Sequence, residues 1–263
     1  MALRHALSGH GDGASVDTVL RTANVTPGGP LEGQVLIETG SHGSDLEFLS
    51  VSLVGAIVGE DSDGEYEEEV ELAQIDLTQD LYLEPAQQYA LPFVLQMPWD
   101  TPLTHLYGER LDGMELGLRT DLGLFGERDQ GDLDELRIHA LPAQEAIFEA
   151  LQELGFRFNG AELEIGELAV AGVHQSVPCF QEIEFSVPDR YAAKLAEVDL
   201  TFVAGPHAME VLLALGRRGG LLQSSGEELQ IFTVEYPSVE RIDWPEEIHS
   251  WILQATKARG IFF

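Results

Sequence analysis

The chain has 263 residues, with 46 acidic side chains against 14 basic ones and a formal net charge of −32. A surface of that sign repels a phosphate backbone and an anionic bilayer, which argues against nucleic acid and against a lipid face as partners. A single cysteine, Cys179, excludes an internal disulfide framework, and no apolar run is long enough to cross a bilayer as a helix, so a cytoplasmic protein without an integral membrane segment is expected.

The first residues, MALRHALSGHGDG, carry one arginine but lack the continuous apolar stretch of a secretory signal, and residues 1–15 read as a short arm. From Val16 the chain alternates through VDTVL, turns at TPGGP and resumes as LEGQVLIET, which predicts a strand pair. After the turn GSHGS comes LEFLSVSLVGAIVG, where Phe48, Leu49, Val51, Leu53, Val54 and Ile57 are expected to line one long buried strand. The tract EDSDGEYEEE at 60–69 follows, with Asp63-Gly64 as a turn signal, and VELAQIDLTQDLYLEP returns with apolar positions. The pattern predicts a hairpin with an acidic tip. LPFVLQMP places Leu91, Phe93, Leu95 and Met97 on one face of a strand that ends in the turn WDTP. Met114, Leu116 and Leu118 alternate in a further strand, a loop with a second acidic cluster covers 127–135, and LRIHAL closes the first domain.

LPAQEAIFEALQELGFRF at 141–158 breaks the β pattern. Pro142 suits the first helical position, Ile147, Leu151 and Leu154 recur at helical spacing, Gly155 supplies the stop, and Gln144, Glu145, Glu149, Gln152 and Glu153 mark the polar face. Strand candidates follow at 161–173, 183–187, 196–203, 209–215 and 229–236, about as many as half a sandwich needs. A last helix starts near Asp243-Trp244-Pro245, with Ile248, Trp251, Ile252 and Ala255 on its apolar face and Lys257 and Arg259 at its C-terminal end.

Several of these stretches together resemble the bacterial sporulation-control proteins with an arrestin-like fold. They are VDTVL with its PGG turn and GQVLI at 16–37, PFVLQMPWDTP at 92–102, LGLRTDLG at 116–123 and IHALP with the following helix and LGFRF at 138–158. PCFQEIEF at 178–185, LAEVDLTFV at 195–203 and MEVLLALGRRGG at 209–220 complete the set. The resemblance implies a mainly β protein of two tandem arrestin-like β-sandwiches, at 16–140 and 141–240, with the helix 142–154 opening the second and a C-terminal helix and tail at 241–263. It also implies a regulatory function without known catalysis.

The candidate functional groups are weighed against plain structural roles. Carboxylates on a turn suit Ca²⁺, but an EF-hand loop counted from Asp61 would have Tyr66 at its glycine position and Leu72 at its bidentate glutamate position. A solvated hairpin tip is the plain structural reading, since charge runs usually lie exposed, and the preferred functional reading is that either acidic cluster receives a basic protein surface, since complementary charge speeds encounter. The expected partner-binding residues are therefore Glu60, Asp61, Asp63, Glu65, Glu67, Glu68 and Glu69, with Asp129, Asp132 and Asp134 of the second cluster and Trp251 of the last helix. No two of the eight histidines stand three or four residues apart, and Cys179 lies among apolar neighbours as a small buried residue. Arg217 and Arg218 fit a turn between strands. With no G-x-S-x-G, no phosphate-cradling loop and no dinucleotide fingerprint, neither a cofactor nor an enzyme is expected. The function expected is a non-enzymatic scaffold or regulator that binds protein partners, with self-association open through a strand edge. The alternative is an acidic β-sandwich protein stabilised or assembled by Ca²⁺ or Mg²⁺.

Overall fold

The computed structural model describes residues 13–61, 64–78, 81–126, 129–168, 170, 172–192, 195–215 and 229–258, and the side chains at 57–68 and at 258 fall outside the description. The expected N-terminal arm, apart from residues 13–15, and the pair Arg217 and Arg218 therefore lie outside the described residues. The chain divides into two compact units, residues 1–98 with 115–138, and residues 99–114 with 139–263.

The first unit holds β1 (Ser15–Leu20), β2 (Asn24–Val25), β3 (Pro30–Glu38), β4 (Ser44–Asp61), β5 (Gly64–Thr78), β6 (Leu81–Leu83) and β7 (Gln88–Gln96). After the short strands β8 (His105–Leu106) and β9 (Glu109–Arg110), which belong to the second unit, come β10 (Glu115–Leu124), β11 (Gln130–Glu135) and β12 (Arg137–Ile138). One sheet runs β1-β3-β7, and the other runs β11-β10-β4-β5 with β6 also on β4. Alternation explains the packing: Leu31, Val35 and Ile37 of β3, Leu49, Val51 and Leu53 of β4, and Leu116, Leu118 and Leu122 of β10 are fully buried. Phe48 does not join the buried face as its apolar character predicts. Alternation from Leu49 sends it to the outer face, where it is 40% exposed.

The sandwich is tied at one side by polar groups. The Thr18 and Thr120 hydroxyls bond at 2.6 Å in the buried interior, and the Thr18 backbone N–H donates to Asp132 Oδ2 at 2.8 Å. Thr18 lies on β1, the outer strand of its sheet, so this N–H has no strand to meet; the carboxylate of β11 takes that place. The region 127–135, expected as a loop, is thus corrected over 130–135, which form an edge strand paired with β10.

The second unit is built on one antiparallel sheet of β13 (Arg157–Ile165), β14 (Cys179–Ser186), β15 (Glu197–Ala204), β16 (Ala208–Leu215) and β17 (Gln230–Glu235), each paired with the next. Ile183, Leu200 and Leu213 stand side by side across three strands and are all buried. Helix α1 (Pro142–Glu153) covers this face through Phe148, whose ring meets Phe185 at 6.2 Å and Phe202 edge-on at 5.4 Å. After the single turn α2 (Asp189–Ala192), helix α3 (Trp244–Ala258) covers it further along, with Trp251 stacked on Phe232 at 4.5 Å. Val203 and Leu212 of the opposite face pack with Val173.

Both ends of α1 are specified locally. Leu141 has no side-chain oxygen to offer, and instead Gln144 reaches back to accept the Leu141 N–H at 2.8 Å, so Gln144 is buried rather than on the solvent face the pattern predicts. At the other end Gly155 (φ +87°) turns the chain left-handed. Gly155 N–H bonds to Gln152 O and Phe156 N–H to Leu151 O, the paired bonds of a Schellman stop.

A single cut after residue 140 does not describe this division, because Trp99–Met114 group with the second unit. The reason is a set of specific bonds. Gln181 accepts the Leu103 N–H and donates to the Leu103 carbonyl, both at 2.9 Å, as a neighbouring strand would. Asp100 accepts the Ser176 N–H, Trp99 stacks on Tyr236, and Tyr107 OH donates to Phe148 O at 2.9 Å. Replacing Gln181 by Met would leave two buried backbone groups unmet, so the Gln181→Met protein is expected to lose about 2–5 kcal/mol of stability. Urea unfolding measures the loss, and faster tryptic cleavage after Arg110 should accompany it.

Candidate functional site

Acidic residues fall into distinct environments, and only some remain available to a partner. The β4–β5 ladder carries the first cluster, with Ala56 opposite Glu69, Ile57 opposite Glu68, Val58 opposite Glu67, Glu60 opposite Glu65 and Asp61 opposite Gly64. This is the expected hairpin. Asp63 lies outside the described residues, as do the side chains of Glu60, Asp61, Glu65, Glu67 and Glu68. The described part of the same surface is a carboxylate group around one cation. Arg119 Nη1 pairs with Glu69, Nε bonds Asp121 Oδ2 at 2.7 Å, and Nη2 reaches Glu71 at 3.4 Å. One guanidinium against three partly exposed carboxylates leaves this surface anionic.

The second cluster is mostly structural. Asp129 is exposed, but Asp132 holds the Thr18 N–H, and Asp134 is half-buried. Asp132 and Asp134 stand opposite the buried Thr120 and Leu118, so their side chains turn toward the sandwich interior rather than to solvent. Inward-pointing charge on an outer strand also discourages edge-to-edge pairing. Trp251 is likewise a packing residue, 3% exposed, stacked on Phe232 and edge-on to Trp244, with its indole N–H donating to Glu247 Oε1 at 2.8 Å. The helix face expected to dock on another protein is thus occupied by its own unit.

Other chemistry finds little support in the described residues. His105 and His139 converge, with ring centroids 5.3 Å apart, a contact their separation in sequence conceals. Yet among the described residues no group of three or more His, Cys, Asp or Glu is arranged to hold a metal ion. Burial, aided by Asp100, pushes the Cys179 thiol up to about 12, which keeps it protonated and unreactive near neutral pH. A crevice beside Trp99 and Phe202 contains Gln144 and Gln181, but both amides are committed to backbone groups. Among the described residues no helix is long and apolar enough to cross a membrane.

Comparison with known proteins gives a consistent result. A family model described as SpoOM protein matches residues 3–219. The sporulation-control protein Spo0M of Bacillus subtilis (strain 168) is 28% identical over 240 residues, covering 89% of each chain. The crystal structure of Spo0M from Bacillus subtilis superposes with a TM-score of 0.79 at 26% identity, over 92% of this chain and 98% of that one.

Two substitutions separate structural from surface roles. Trp251→Ala is expected to cost about 3–5 kcal/mol, because it empties a buried aromatic site. Asp132→Ala should cost about 1–3 kcal/mol by orphaning the Thr18 amide. Both losses should appear in denaturant unfolding of the purified chain, and unchanged stability would return the residue to the list of free surface groups.

Proposed function

Because the chain belongs to the SpoOM protein family and shares the arrestin-like fold of Spo0M, we propose that it is a non-enzymatic regulator that works by binding other proteins. The observation that carries this reading is the near full-length match to a protein named for sporulation control, in order and in fold. The regulatory role follows from that kinship; the mode of action is our inference from the surface. Glu69, Glu71 and Asp121 share a single arginine, and further carboxylates stand along the same hairpin. A basic protein surface suits this field, through faster encounter and rejection of acidic competitors. The same reading places the protein in the cytoplasm, where a single buried thiol needs no partner.

The experiment is affinity capture from the source cell at low and moderate salt, comparing the natural chain with a variant of its hairpin. In that variant Glu60, Glu65, Glu67, Glu68 and Glu69 become Gln, and Asp61 and Asp63 become Asn. Capture by the natural chain should fall as salt rises, and the variant should capture several-fold less at low salt. Capture that is equal for both proteins at every salt concentration would remove the hairpin carboxylates from the account.

A further inference from the structure

Three aromatic side chains on the outer face of the first unit are exposed although a β-sheet offers them an interior: Phe48 is 40% exposed, Tyr82 51% and Phe125 70%. They occupy adjoining strands around one carboxylate. Asp45 of β4 stands opposite Tyr82 of β6, and on its other side Phe125, just beyond β10, donates its N–H to the Asp45 carbonyl at 2.9 Å. With strands about 4.8 Å apart, Tyr82 and Phe125 flank Asp45 across roughly 10 Å of sheet. Phe48 stands opposite Gly123, on the same β4–β10 ladder.

Two glycines make room for Phe48 and Tyr82. A Cβ at Gly123 would run into the Phe48 ring, and a Cβ at Gly43 would run into the Tyr82 ring and hydroxyl. Phe48 thus packs against the backbone at Gly123 and Tyr82 brings its hydroxyl end against Gly43, while a large part of each side chain stays open to water. Aromatic surface left open in this way is available to a cation, and Asp45, itself exposed, adds a formal negative charge on the strand between Tyr82 and Phe125.

We infer that the Phe48, Tyr82, Phe125 and Asp45 patch is a docking site for an arginine side chain of a basic protein partner. Arginine suits it because its guanidinium plane stacks on aromatic rings while its donor fork meets a carboxylate. A second copy of this chain is a poor occupant, since two bodies of net charge −32 repel one another. An anionic bilayer is repelled for the same reason. The inference rests on the reading of the chain as a protein-binding regulator, and it names the partner chemistry at one place on the surface.

The test uses the full chain and a fluorescein-labelled (Gly-Arg)₃ peptide, with citrulline in place of arginine as the neutral control, read by fluorescence anisotropy. Phe125→Ala changes no charge at a position already open to solvent, so the thermal midpoint should not move, while the arginine peptide should bind about two- to fivefold more weakly. Asp45→Asn should weaken it more than Glu71→Gln, which removes the same charge elsewhere on the sheet. The citrulline peptide should bind weakly and equally to all four proteins. Unchanged arginine-peptide binding by Phe125→Ala, or equal losses for Asp45→Asn and Glu71→Gln, would overturn the site, as would Phe125-dependent binding to phosphatidylcholine vesicles in place of the peptide. The assay needs no native partner, so an empty capture from cells would sink the regulatory reading without altering the peptide result. Loss of the peptide site would leave salt-sensitive capture through the hairpin standing.

Discussion

Every buried backbone amide and carbonyl needs a partner, and in this protein the awkward ones are met by side chains of glutamine and aspartate. Asp132 takes the Thr18 N–H at the side of the first sandwich. Gln181 holds both backbone groups of Leu103, and Gln144 caps the start of α1 where Leu141 cannot. Gln175 does the same for the turn before β14, accepting the Leu168 N–H and donating to the carbonyls of Gly166 and Val177. Gln181, Asp100 and the Tyr107 hydroxyl tie the stretch Trp99–Met114 to the part of the chain that lies beyond residue 139 in sequence.

The same bonds divide the acidic surplus into two populations. Some carboxylates act as structural acceptors: Asp132 toward a backbone amide, Asp100 toward Ser176 and Glu247 toward the Trp251 indole. Others, such as Glu69, Glu71 and Asp121, crowd one arginine at the surface. Composition alone cannot tell these apart, since a net charge counts both alike. Both populations keep their charge and add to the long-range field, but the first has its oxygens already engaged within the fold, while the second lies at the surface where a partner's donors can compete for it.

Much of the architecture was readable from periodicity. The alternation at Leu49, Val51 and Leu53, the helix begun by Pro142 and stopped by Gly155, and the strand at Leu229 to Tyr236 all correspond to elements of the fold. What escaped was whatever depended on a distant neighbour. Phe48 looked like core because it is apolar, yet the register of β4 turns it outward over Gly123. Gln144 looked solvent-facing because it is polar, yet an uncapped amide three residues earlier draws it inward. Asp132 and Asp134 looked like a loop cluster because charge runs usually are, and pairing with β10 made them part of an edge strand. The surface rings leave no pattern in the sequence because Phe48, Tyr82 and Phe125 lie far apart in it, and the glycines at positions 43 and 123 that make room for two of them are not connected by spacing.

The three tryptophans, Trp99, Trp244 and Trp251, all belong to the second unit. Trp99 stacks on Tyr236, and the other two pack against each other, so their emission senses the sheet and helices of that unit. The first unit carries no indole at all, and its aromatic chromophores are tyrosine and phenylalanine. Intrinsic fluorescence excited at the indole band therefore watches one half of the protein, while far-ultraviolet dichroism watches both. If the halves melt separately the two signals will part, and the tryptophan trace will assign its transition to the second unit without any label being added.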